Sequence, residues 1–126
     1  MRTIKFRGYN RKNGEWLYGF YLQNRGQHFV CSDEFATDKT WEDYEIDPET
    51  LGQFTGLYDK NGIEIYEGDI VLYFTKKMQI SWVDDCLRFL VVCDDFDLDL
   101  CDFRVKENAK VIGNIHDNPE LLTTSK

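Results

Sequence analysis

Apolar side chains recur at every second position along most of this chain, a period that suits extended strands and not helices. In Glu15-Trp16-Leu17-Tyr18-Gly19-Phe20-Tyr21-Leu22, residues Trp16, Tyr18, Phe20 and Leu22 fall on one face of a strand. Ile4 and Phe6 begin a matching strand upstream, and Arg11-Lys12-Asn13-Gly14 lies between the two. Asn-Gly tolerates the positive φ of a tight turn, so Asn13-Gly14 marks a hairpin. Gln27 to Cys31 reads as a further short strand.

The stretch from Ser32 to Tyr44 is the least periodic. Ser32 can cap a helix with Asp33 and Glu34 in its first turn, but Phe35, Ala36, Trp41 and Tyr44 make a poor helical stripe, so a loop with one short helix is expected. Pro48 favours extended chain around it. A second Asn-Gly, Asn61-Gly62, separates two apolar stretches, and Glu67-Gly68-Asp69 marks another turn. The run Ile70-Val71-Leu72-Tyr73-Phe74 suits a strand covered on both faces. Met78–Val83, Leu87–Cys93, Phe96–Phe103 and Lys110–Ile115 are four more strand candidates, and Glu120-Leu121-Leu122 a short terminal turn. Short strands with turns at this spacing predict a mainly β protein. The expected layout is an N-terminal β-hairpin lobe over residues 1–52, an SH3-like small β-barrel over 53–122 and a disordered tail at 123–126, with at most one or two short helices.

Four segments carry a resemblance: Ile4-Lys5-Phe6-Arg7; Gly52-Gln53-Phe54-Thr55-Gly56-Leu57-Tyr58-Asp59-Lys60-Asn61-Gly62; Glu64-Ile65-Tyr66-Glu67-Gly68-Asp69-Ile70-Val71; and Val111-Ile112-Gly113-Asn114-Ile115-His116-Asp117-Asn118-Pro119-Glu120-Leu121-Leu122. Together they resemble the YopX family over almost the whole chain. The resemblance implies a phage or prophage origin, a place of action in the host bacterial cytoplasm and a β-rich fold with an SH3-like barrel. It carries no established activity and no catalytic or cofactor-binding residues. The central signature also has a folding explanation. Gly14, Gly56, Gly62 and Gly68 supply φ freedom at turns, Asn13, Asp59, Asn61 and Asp69 can hydrogen-bond to turn backbone, and Ile63, Ile65, Ile70 and Leu72 supply core.

Charge and composition limit partners and chemistry. The 126 residues carry a formal net charge of −8, which opposes adsorption to phosphate backbones and anionic lipid. Nineteen aromatic residues are too many for a disordered acidic chain, and no apolar run reaches the roughly 18 residues of a membrane-spanning helix. Cys31, Cys86, Cys93 and Cys101 form no C-x-x-C pair. With no export signal at MRTIKFRGYN they are expected to be free thiols in the cytoplasm. Asp95-Phe96-Asp97-Leu98-Asp99 begins like a calcium loop but has Leu100 and Lys106 where Gly and Glu are required, so no metal is expected. Neither a Cys31/His28 pair at i, i+3 nor His116 makes a catalytic set, and no phosphate-binding glycine loop occurs, so neither an enzyme nor a cofactor is expected.

Three interaction readings follow. The first is a non-enzymatic accessory protein that binds a host protein or a second copy of itself, with surplus aromatics such as Tyr9 and Trp16 as contacts. The second is a DNA mimic. As a strand, residues 95–100 would place Asp95, Asp97 and Asp99 in an outward row about 6.7 Å apart, close to two steps of a DNA strand; the plainer explanation is a soluble surface. The third is a nucleic-acid-binding barrel using Arg2, Lys5, Arg7 and Tyr9, against which stands a solvated edge strand guarded by positive charge. Given the net charge, nucleic acid is the disfavoured partner.

Overall fold

A computed structural model describes residues 4–32, 38–74, 76–83, 88–92, 97–99 and 108–123. The protein is mainly β, with two antiparallel sheets of five strands each. Among the described residues the helical elements are a 3₁₀ turn at Trp41–Asp43 and α1 (Glu120–Thr123), and no helix is long and apolar enough to cross a membrane. Ser32, the expected cap, is exposed, and the helical turn expected after it, with Asp33 and Glu34, lies outside the described residues, as do residues 124–126 of the expected tail; Thr123 ends α1. The chain divides into two compact units, Met1–Phe54 and Thr55–Lys126.

The first unit carries β1 (Phe6–Asn10), β2 (Glu15–Asn24), β3 (Gln27–Cys31) and the first part of β4 (Asp47–Tyr58), side by side in the order β3-β2-β1-β4. The β1–β2 hairpin forms where Asn-Gly predicts it, with Asn10 opposite Glu15. Its loop is longer than a two-residue turn. Gly14 N–H donates to the Asn10 carbonyl at 2.9 Å, and Asn13 N–H to Asn10 Oδ1 at 2.7 Å. Only Gly14 takes positive φ there, at +69°. The tighter turn is the next one, between Asn24 and Gln27, where Arg25 and Gly26 have φ of +52° and +80°. Two positive φ values match the twist of the flanking strands. Arg-Gly is not a usual signature for that turn, and the sequence alone does not reveal it. The outer edge of β3 is covered by the chain leading into β4: Val30 N–H donates to the Tyr44 carbonyl (3.0 Å) and Ile46 N–H to the His28 carbonyl (2.9 Å).

Pro48 is accommodated by an irregularity. The β1–β4 register shifts between Arg7↔Gly52 and Tyr9↔Asp47, because proline has no N–H to give a ladder. The Thr50 hydroxyl fills the break: it accepts from Tyr9 N–H (2.8 Å) and donates to the Asp47 carbonyl (2.6 Å). Thr50→Val keeps the shape and removes both bonds, so it is expected to cost about 1–2 kcal/mol in urea unfolding. A cost near zero would mean that water replaces the hydroxyl.

In the second unit β4 runs on past Phe54 beside β5 (Glu64–Tyr66). The second sheet contains β6 (Asp69–Tyr73), β7 (Lys76–Val83), β8 (Arg88–Val92), β9 (Asp97–Asp99) and β10 (Ala109–Asn114), in the order β10-β6-β7-β8-β9. Among the described residues no pairing joins β9 to β10, so the described strands do not by themselves close into a barrel. Ile65, Val71, Met78, Ile80 and Ala109 form the core, with Leu57, Tyr73 and Val111 against it. Two expectations change here. Ile63, expected in the core, is 52% exposed, because it lies in the turn before β5. The Ile70–Phe74 run is covered only at its start: Ile70 and Val71 are buried, whereas Phe74 has left the strand at φ +57° and is 67% exposed.

Candidate functional site

β2 sets up the most conspicuous surface of the first unit. Alternation places Trp16, Tyr18, Phe20 and Leu22 on one face, as the sequence implies, but that face is not uniformly buried. Tyr18 and Phe20 are 46% and 43% exposed, while Trp16 and Leu22 are half-buried. Packing and not register makes the difference, since exposed Phe20 lies opposite buried Cys31 and exposed Tyr18 opposite buried Arg7, yet of the four β2 residues only Leu22 packs on the Phe29 cluster. Leu22 lies opposite Phe29, which packs with Cys31 and Tyr44, and Trp16 lies opposite Tyr9. Trp41, 55% exposed, stands edge-on to Phe29 at 5.4 Å and extends the apolar band. The opposite face of the sheet is packed closely enough that a Cβ on Gly8 would fall 2.5 Å from Ile46 Cδ1.

Tyr9 and Trp16, the two expected contact aromatics, are brought together edge-to-face with ring centroids 5.5 Å apart. Arg7 is buried with its guanidinium 5.0 Å from the Trp16 ring centre, and Lys5 Nζ stands 5.5 Å from that of Phe54. The basic segment therefore does not present Arg7 to solvent. Nor is it an edge strand, because β1 lies between β2 and β4. At the hairpin tip Arg11 pairs with Asp47, and Lys12 Nζ lies 3.0 Å from Asp43 Oδ1. A hydrogen bond from Thr40 N–H, joined by those from Lys12 and Asn13, holds the Asp43 carboxyl well below the usual carboxylate range. Asn10 ties this tip to the 3₁₀ turn by donating to the Glu42 and Glu45 carbonyls (3.1 and 2.8 Å). An open cleft of ≈ 590 Å³ lies alongside, lined by both charge signs.

His28 stacks on Tyr21 and hydrogen-bonds its hydroxyl through Nδ1. Cys31 belongs to the Phe29–Tyr44 cluster and is a free thiol, and burial pushes its pKa up, away from reactivity. Cys86, Cys93 and Cys101 lie outside the described residues, as does Asp95. Asp97 and Asp99 are in extended chain on β9, in register with Val92 and Leu90.

The glycine and aspartate signature has structural work in the second unit. Buried Asp59 accepts three backbone N–H bonds: from Asn61 (2.8 Å) and Ile63 (2.9 Å) through Oδ1, and from Val111 (2.8 Å) through Oδ2. It thereby closes the turn at Asn61-Gly62 and fastens that turn to β10. Asp69 accepts from Tyr66 N–H (2.7 Å) across the Glu67-Gly68 turn, where Gly68 has φ +93°. Gly62 has φ +81°. Gly56, expected at a turn, lies instead inside β4 at φ +90°, a kink beside which the Thr55 hydroxyl accepts from Leu57 N–H and donates to the Ile65 carbonyl. In the C-terminal signature Asn114 Oδ1 accepts from His116 and Asp117 N–H, both at 2.9 Å.

Comparison with known proteins follows the same span. A family model described as YopX protein matches residues 5–123. Among solved structures, the chain is similar to the crystal structure of protein EF1440 from Enterococcus faecalis, with a TM-score of 0.62 and 27% sequence identity over 97% of this chain and 99% of that one. No curated protein matches it.

Proposed function

The chain belongs to the YopX family, and from that premise we propose that it is a non-enzymatic accessory protein of a phage or prophage, acting through protein–protein contacts in the bacterial cytoplasm. The observation that carries this reading is the aromatic band on β2. Large aromatic side chains left more than two-fifths exposed on a sheet face are the residue type that anchors protein interfaces. The partner is a host protein or a second copy of the chain. In this reading the second unit is an SH3-like barrel, supported by its five short antiparallel strands.

A Tyr18→Ser/Phe20→Ser double variant tests the proposal. Both side chains are already partly in water, so the fold is expected to hold with a loss of about 1 kcal/mol or less. Binding to whatever the wild-type protein retains from host lysate, or its self-association in sedimentation, is expected to weaken at least about tenfold, in line with loss of an interface anchor. Equal retention and equal sedimentation by both proteins would refute the reading. A second reading, in which the acidic segment imitates DNA phosphates, has the support that Asp97–Asp99 is extended as that geometry requires. It predicts a complex that dissolves as salt rises, whereas an aromatic contact persists.

A further inference from the structure

The β6–β7 hairpin turns within two residues, since Tyr73 pairs with Lys76. Phe74 opens that loop at φ +57°, a conformation that Gly, Asn or Asp adopts with far less strain. A phenylalanine there does nothing for the turn. Its ring is two-thirds exposed and stands edge-on to Tyr73, with centroids 4.7 Å apart. Strained non-glycine backbone of this kind gathers where a protein holds a ligand.

The surroundings are basic. Phe74 lines a small cavity of ≈ 170 Å³ together with Lys60, Leu72, Asn108 and Lys110, and among the described residues no carboxylate lines it. Lys110 on β10 and Lys77 on β7 both lie directly opposite Leu72, so the three share one face of the sheet at steps of about 5 Å. Lys60 is fixed beside the start of β10 by its N–H bond to the Ala109 carbonyl (2.9 Å).

We propose that this corner of the second unit binds single-stranded nucleic acid, with a base stacked on Phe74 and phosphates held by Lys60 and Lys110. Two ammonium groups without a lining acid call for an anion, and an exposed ring calls for a flat partner. A single strand supplies both along one chain. An acidic peptide would meet the lysines and leave the ring without a planar partner, and a duplex hides its base faces. The net charge of −8 repels any polyanion at long range, and salt screens that repulsion, whereas the lysine–phosphate contacts themselves weaken as salt rises, so binding is read at an intermediate, modest salt.

The test is anisotropy of a labelled oligo(dT) of about 15 nucleotides at about 50 mM salt, with the full chain. Phe74→Asn relieves the backbone strain, so it is expected to melt no lower than the wild type and yet to bind about tenfold more weakly. Phe74→Trp is expected to retain affinity. Lys60→Gln with Lys110→Gln is expected to weaken binding and to reduce the slope of log affinity against log salt by about 1.4. The proposal is overturned if oligo(dT) does not bind, if Phe74→Asn binds as well as the wild type, or if polyglutamate binds as tightly as oligo(dT).

Discussion

Asp59→Ala is expected to destabilise the second unit by about 4 kcal/mol, well beyond the loss of one ordinary hydrogen bond. Three backbone N–H groups, of Asn61, Ile63 and Val111, lose their acceptor at once. Each orphaned donor costs about 1–3 kcal/mol when water cannot reach it. The carboxylate also bridges a sequence separation of 52 residues between the turn and β10, so its loss is felt by both. Asp59→Asn divides the effect. Its retained carbonyl oxygen can still serve Asn61 and Ile63, while its amide faces the Val111 N–H donor to donor. About half the loss is expected from that variant. Urea unfolding followed by far-ultraviolet circular dichroism measures both. A cost below about 1 kcal/mol for the alanine variant would show that water takes over the three donors, and that the signature aspartate is dispensable for folding.

Gly19→Ala should damage the first unit by about 3 kcal/mol or more. The methyl group would sit 2.0 Å from the Cys31 carbonyl oxygen and 2.6 Å from its carbon, against backbone and not against a side chain that can rotate away. Gly19 also has φ +153°, which an L-residue adopts only with strain. β2 and β3 must therefore separate at the point where Phe20 pairs with Cys31. Because burial protects the Cys31 thiol, the damage has a second readout: the variant is expected to label at Cys31 faster than the wild type, as mapped by peptide mass. Gly26→Ala is the control. Nothing lies within 4 Å of its would-be Cβ, so only the left-handed φ is penalised, by about 1 kcal/mol. Equal costs at Gly19 and Gly26 would mean that the close approach of the strands is not what requires glycine.

These two residues mark how far the sequence can be followed. Asp59 lies beside an Asn-Gly turn, and its part in that turn is legible because the hydrogen bonds to Asn61 and Ile63 are local. The third bond, to Val111, is not legible, because nothing near Asp59 specifies which distant strand passes by. Gly19 gives no signal, since its need for glycine comes from the Cys31 carbonyl across a strand pair. The aromatic surface is half legible. The shared face of Trp16, Tyr18, Phe20 and Leu22 follows from alternation, whereas the exposure of Tyr18 and Phe20 depends on what Phe29, Tyr44 and Tyr9 cover. The lysine-flanked Phe74 reads as part of a covered strand, because a run of apolar residues does not announce that its last member has turned the corner into left-handed backbone.

The sequence by itself determined that the chain is β, roughly where most of its strands begin and end, and that Asn13-Gly14, Asn61-Gly62 and Glu67-Gly68 lie in turns. Period-two alternation and turn chemistry act over a few bonds and survive without the rest of the molecule. Only the tertiary structure decided that β1 is an interior strand, that the second sheet runs β10-β6-β7-β8-β9, and which aromatic and basic side chains reach solvent. Strand order and coverage are set by pairings between residues tens of positions apart. Such pairings follow from the packing of the whole chain and leave no mark on its local pattern.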